Sequence, residues 1–318
     1  MSFQVSPGVR VREVDLTNVV PAVSSSIAAY AGAFSWGPMG VPTQVTSEND
    51  LAEIFGTPNT TNNVHYFTAA AFLQYGNDLR VIRAFTGGTN AVSTGTAVLI
   101  GNRNTYDNSF SAGQGSVGPW AAKYPGTLGN SLRVEVCSST GFAGWAYATQ
   151  FDGAPGTSAT ATKLGVTGAL DELHIVVLDE DGAWTGTANT ILETFAFVSM
   201  AADAKNDNGT SNFYKDVVNA GSEYVWWMDH DTGLTDAGIS LSAQASSKVF
   251  DGDGGTAIAS SLSGGTDDDA YTAGEIQSAF DAVEDASTFD VNILIAPPLD
   301  AALGGSGADC VAIANDLI

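Results

Sequence analysis

Basic residues are scarce in this 318-residue chain: 11 Lys and Arg stand against 35 Asp and Glu, a formal net charge of −24. A chain so acidic does not bind nucleic acid or an anionic membrane through a broad electrostatic face. Cysteine is nearly missing. Cys137 and Cys310 are far apart, show no metal-ligand or redox spacing, and read as small buried hydrophobes. No apolar run approaches the ~18–20 residues that span a bilayer. The first residues, Met1 to Gly8, lack the basic and apolar regions of a secretory signal. Neither the phosphate-loop pattern nor the dinucleotide glycine fingerprint occurs.

The acidity is unevenly spread. Residues 1–150 carry 7 basic and 8 acidic residues, whereas residues 151–318 carry 4 basic and 27 acidic. The balanced half suits contacts, with Arg10, Arg12, Arg80 and Arg83 placed near them. The acidic half is expected to face water. An apolar fraction of 44% is ample for a core, and the length corresponds to about two domains at ~150 residues each.

Along the chain, Val9-Arg10-Val11-Arg12-Glu13-Val14 alternates with period two after Pro7-Gly8, which predicts a terminal strand. Such a strand can join its own sheet or the sheet edge of another subunit. Residues 21–85 read as strand, helix, helix, strand. The small residues 26–34 form a buried strand. Ser47-x-x-Asp50 caps a helix that carries Leu51, Ile54 and Phe55 and stops at Gly56. Val64, Phe67, Ala71, Phe72 and Tyr75 then fall on one helical stripe, and Leu79 to Phe85 is a strand.

Residues 86–120 turn to Gly, Thr, Ser and Asn, as in a loop or β-rich insertion. Strands are predicted at 132–136, at 173–178 beside a hairpin signal Asp181-Gly182, and at 223–228. Ile191, Phe195, Val198 and Ala202 have helical spacing within 190–204. The α/β pattern returns with a capping box Thr272-x-x-Glu275, a strand at 290–296 and a last helix from Ser306. That helix ends on an uncapped apolar stripe at Ile318, so the domain is expected to continue beyond this chain.

Few residues invite chemistry. His65 and His174 have no catalytic partner at any telling spacing. Asp229-His230-Asp231 is the best candidate base or metal site, but adjacent residues on extended chain point apart, which favours a loop. Asp251-Gly252-Asp253-Gly254 resembles part of a calcium loop, yet Leu262 stands where the bidentate Glu belongs. With Asp267, Asp268 and Asp269 it reads as solvated acid. Of Trp226 and Trp227, alternation buries one and leaves the other at the surface.

The quoted segments also form a set. Ser6-Pro7-Gly8-Val9, Ala31-Gly32-x-Phe34-x-Trp36-Gly37-Pro38, Leu51 to Gly56 and Tyr66 to Ala84 resemble the N-terminal region of contractile phage tail sheath proteins. Tyr124-Pro125-Gly126-x-Leu128-Gly129-Asn130 is similar to a second family segment, and Leu262 to Asp267 with Val291–Pro297 to a third. The resemblance implies a structural protein of the virion tail, assembled in the host cytoplasm, and not an enzyme. It implies a homo-oligomeric sheath around a tail tube protein, with baseplate and tail terminator proteins as further partners and no cofactor. Contraction of that sheath would drive the tube through the host envelope without inserting in the membrane. It places the inter-subunit strand arm on Val5, Val9, Arg10, Val11, Arg12 and Val14.

The expected fold is α/β (α+β): a mixed-sheet core domain, incomplete at its C-terminal end, with a β-rich outer domain inserted and an extended N-terminal strand arm. Its parts are the arm 1–20, core 21–90, insertion 91–260 and core 261–318. The rival reading is an acidic calcium-binding surface or adhesin domain.

Overall fold

A computed structural model describes residues 27–84, 87–231, 234, 244–245, 250, 255–267, 272–285, 287–297 and 307–317. In chain order these hold β1 (Ala28–Gly32), β2 (Thr43–Val45), α1 (Glu48–Phe55), α2 (Asn63–Leu73), β3 (Leu79–Arg83), α3 (Arg103–Ser109), β4 (Trp120–Ala122) and β5 (Leu132–Cys137). There follow α4 (Ala159–Lys163), β6 (Glu172–Asp179), β7 (Thr190–Ser199), α5 (Tyr214–Gly221), β8 (Val225–Trp227), β9 (Ile258–Ser261), α6 (Ala273–Asp281), β10 (Ile293–Ile295) and α7 (Gly307–Asp316). The fold is mixed α/β.

One sheet has the order β10–β1–β3–β2, with β1 parallel to both neighbours and β2 antiparallel to β3. Successive side chains of a strand point to opposite faces. Ala28, Tyr30, Leu79 and Val81 therefore pack against Leu51 and Phe55 of α1 and Tyr66, Ala69 and Ala70 of α2. Ala29, Ala31 and Ile82 pack the other way, against Ile276, Ala279 and Phe280 of α6 and Ile313 of α7. The result is a three-layer unit, helices on both faces of one sheet. Its small-residue strand β1 is buried throughout. At Gly32 a Cβ would stand 2.7 Å from Nδ1 of His65, so the close approach of α2 demands glycine there.

The helix starts follow from local chemistry. Ser47 accepts the Asp50 amide at 3.1 Å, and the Asp50 carboxylate takes the Thr46 amide at 3.2 Å. Thr272 and Glu275 form a full capping box at α6. Each such cap is worth about 1 kcal/mol.

The face of α2 is largely the reverse of the sequence expectation, although Phe72 of the expected stripe does pack against the core. His65, Tyr66, Ala69 and Ala70 are buried, while Val64 and Phe67 are 43% and 58% exposed, as is Tyr75, at 89%, just beyond the end of the helix. The helix is apolar all round, so its larger stripe does not mark its core side. Small Ala69 and Ala70 allow α2 to lie close on the sheet.

A second sheet, β7–β6–β5–β9, is antiparallel. Its strand β6 is buried on both faces: Leu173, Ile175 and Val177 enter the largest apolar cluster, and Val176 and Leu178 meet Cys137 and Trp145 on the other side. Cys137 is thus a buried hydrophobe; the side chain of Cys310 lies outside the described residues.

Residues 190–199 form strand β7 and not the expected helix. Thr190, Ile191, Thr194, Phe195 and Val198 are β-prone, and β6 supplies a partner. Two register shifts, at Leu173/Ile175 and Val177/Leu178, break the period-two pattern and leave a false helical spacing. The β6–β7 connection is a long loop organised by Asp179, not a tight turn at Asp181-Gly182. Residues 86–120, expected as loop or β-rich chain, contain helix α3, capped by Asn102.

The ribbon β4–β8 pairs Trp120 with Trp227 and Ala121 with Trp226. Both expected faces of 226–227 are buried, at 1% and 0% exposure, because the ribbon lies between two apolar clusters. Tyr106 stacks on Trp226 at 4.2 Å between ring centres. Lys123 lies 3.7 Å over the same ring and donates to Ser222 O.

Candidate assembly surface

The expected arm residues Val5, Val9, Arg10, Val11, Arg12 and Val14 lie outside the described residues, as do Asp251, Asp253, Asp268 and Asp269. The described part shows what an added strand would meet. β10 pairs with β1 through only three positions, Ala28↔Ile293, Ala29↔Leu294 and Tyr30↔Ile295. No strand pairs with its outer side among the described residues, and Ile293 and Leu294 are 40% and 41% exposed. The strand expected at 290–296 forms at 293–295 and stands at a sheet edge among the described residues. The opposite edge is the equally short β2. An open edge is a template for another strand.

Behind these edges lies a junction joining segments distant in the chain. Arg83, at the end of β3, is buried and donates to Gly37 O at 3.1 Å and Pro125 O at 2.9 Å. The sequence reading sets it near a subunit contact; it serves inside the subunit instead, where its planar fork spans two carbonyls. Arg80 is half-buried and ion-paired with Asp78 at 3.5 Å. Asp267, expected as solvated acid, accepts the Thr127 amide and hydroxyl at 3.0 and 2.6 Å. Asn130 and Gly265 exchange two hydrogen bonds, 2.9 and 2.7 Å. Gly126 has φ 147°, and a Cβ there would meet Ser35 O at 2.6 Å. Trp36 sets its ring edge-on to Tyr124 and Trp184, at 5.5 and 4.8 Å. The segments singled out around 31–38, 80–84, 124–130 and 262–267 thus meet in one place.

The candidate chemical groups do not converge. His65 is buried with Nδ1 2.9 Å from the Tyr30 hydroxyl, and burial lowers its pKa to about 4. His174 lies between Gly153 O and the Phe197 amide, at 2.9 and 3.1 Å. A ring nitrogen that accepts from an amide fixes the other as the donor. His230 meets the Tyr214 hydroxyl at 2.5 Å, and burial lowers its pKa to about 4. Its neighbour Asp229 accepts the His230 amide, while Asp231 lies by Ser260. Burial brings Lys123 down to about 8 under its Trp226 ring. No group of three His, Cys, Asp or Glu side chains capable of holding a metal occurs among the described residues.

Asp179 is the most heavily hydrogen-bonded carboxylate among the described residues. Burial opposes its charge, but donors from Ser131, Gly182, Trp184 and Thr185 outweigh it and hold its pKa below the usual range. The arrangement orders the loop between β6 and β7.

These features define a mixed α/β protein whose surface offers open strand edges and an apolar helix face. Comparison with known proteins supplies its kind. Residues 25–84 match the family described as tail sheath protein Gp18 domain III, N-terminal region. The tail sheath protein of Salmonella phage ViI is 30% identical over 238 residues, 74% of this chain and 34% of that protein. That of Vibrio phage KVP40 is 46% identical over 78 residues, 24% of this chain and 12% of that protein. A solved sheath tail protein from Listeria innocua gives a loose likeness, TM-score 0.47 at 13% identity, over 92% of this chain and 43% of that one. The chain is thus similar to the tail sheath proteins of bacteriophages, which are structural components of the virion tail. Its matched length spans about a third of the ViI relative.

Proposed function

We propose that this chain polymerises as a sheath around a tail tube, and that the sheath contracts to drive the tube through the host envelope. Copies are linked by strand addition. Residues 2–14 of one copy, through Val5, Val9, Arg10, Val11, Arg12 and Val14, add to a sheet edge of another. The observation carrying this reading is the outer side of β10, held by three residue pairs and facing outward. Main-chain hydrogen bonds along such an edge survive rotation of the packed units, so linkage persists while surfaces repack.

In this reading the arm is 1–20, the core 21–90 and 261–318, and the outer part 91–260. The acidic half faces outward, and the tail tube, baseplate and terminator proteins are the partners. Of the acidic residues in the rival calcium reading, Asp267 is engaged with Thr127. Deleting residues 1–14 from the full-length protein should abolish tubes under the electron microscope. Tubes of normal length from the deleted protein would refute the strand linkage.

A further inference from the structure

The outer face of α2 has no task in the fold. Val64, Phe67 and Ala71 share one side of the helix, three or four residues apart, Tyr75 follows just beyond its C-terminal end, and all four are exposed. The helix is held to the sheet by its opposite side, through Tyr66, Ala69 and Ala70. The outward residues therefore leave an apolar stripe in water, within the segment that matches the sheath family. A contiguous exposed apolar face marks an interaction site.

Charge identifies the occupant. Two copies of a chain with net charge −24 repel one another. They approach most easily where charge is missing. From Ile54 to Asn77 the chain holds no Asp, Glu, Lys or Arg, and the only titratable imidazole there, His65, is buried. Acidic side chains lie at either end of this stretch, Glu53 before it and Asp78 after it. The stretch that carries the apolar stripe is thus itself without charge, as the centre of a protein interface usually is.

We infer that the Val64–Phe67–Ala71 face of α2, with Tyr75 just beyond its end, is a contact surface for a second copy of this chain. The inference rests on the sheath reading and adds a side-chain contact to the strand linkage.

The test places a photoreactive benzoylphenylalanine at Phe67 in the full-length protein. Equal amounts of ¹⁴N- and ¹⁵N-labelled copies are mixed, allowed to assemble, irradiated and analysed by mass spectrometry. Mixed-isotope peptides joined at position 67 are expected. In parallel, Phe67→Glu should lower the yield of assembled particles about tenfold or more, because it puts a charge in an apolar contact, with an unchanged melting temperature. Cross-links confined to a single copy, for instance to residues 1–26, overturn the inference, as do cross-links to an added tail tube protein. Normal assembly by Phe67→Glu overturns it and leaves the sheath reading standing. Failure of the wild-type chain to assemble removes both.

Discussion

Lowering the pH from about 7 to about 5 loads the core sheet through one ring. His65 is fully buried beneath β1, against the Tyr30 hydroxyl, and burial holds its folded pKa at about 4. In the unfolded chain it titrates at about 6.5. Between those values the unfolded state binds a proton that the folded state refuses, so stability falls as pH falls. The loss begins below about 6.5 and is complete near the folded value. From about pH 7 to about pH 5 it amounts to about 2 kcal/mol.

Other groups shift with pH as well. His230 acts in the same direction, while Glu172 and Glu193, raised by burial, act in the opposite one. A His65→Gln variant isolates the ring, since Gln can still hydrogen-bond Tyr30 and does not titrate. Urea unfolding followed by tryptophan fluorescence at about pH 7, 6 and 5 should show wild type losing about 2 kcal/mol more than the variant. Parallel losses in the two proteins would refute the assignment of His65 as a ring buried neutral.

Two more substitutions probe the supports behind the surface. Arg83→Met leaves the Gly37 and Pro125 carbonyls without this donor and should cost about 3 kcal/mol in urea unfolding; a cost below about 1 kcal/mol would show that the junction does not depend on it. Asp179→Ala removes the common acceptor of the Gly182, Trp184 and Thr185 amides, which should then exchange hydrogen about a hundredfold faster. Unchanged exchange would mean that the loop is ordered by something else.

Much of the core was legible because local chemistry and tertiary packing agree there. Ser47 and Thr272 cap helices by bonds within a few residues, and β1 declares itself by a run of small apolar residues. The reading failed where a partner element decides. α2 has two apolar stripes, and only the sheet selects His65, Tyr66, Ala69 and Ala70 as the inner one. β7 takes its conformation from β6, and the bulges that fit them together erase the alternation. Trp226 and Trp227 are both covered because clusters lie on each side of the ribbon, which alternation within one strand cannot foretell. Arg83 looked like a surface charge, yet its two acceptors come from loops far apart in the chain. The family-like segments carried the clearest signal: several of them converge at that junction.

The three-residue pairing of β10 also sets an order of events during synthesis. Strand β1 has β3 as a neighbour once residue 83 has emerged, but its other neighbour begins at Ile293. At ordinary elongation rates the interval is about 10–40 s. For that time β1 is itself the sheet's edge, and everything between β3 and β10 is being made. The nascent chain is therefore most open to pairing with the wrong strand at β1 before β10 arrives.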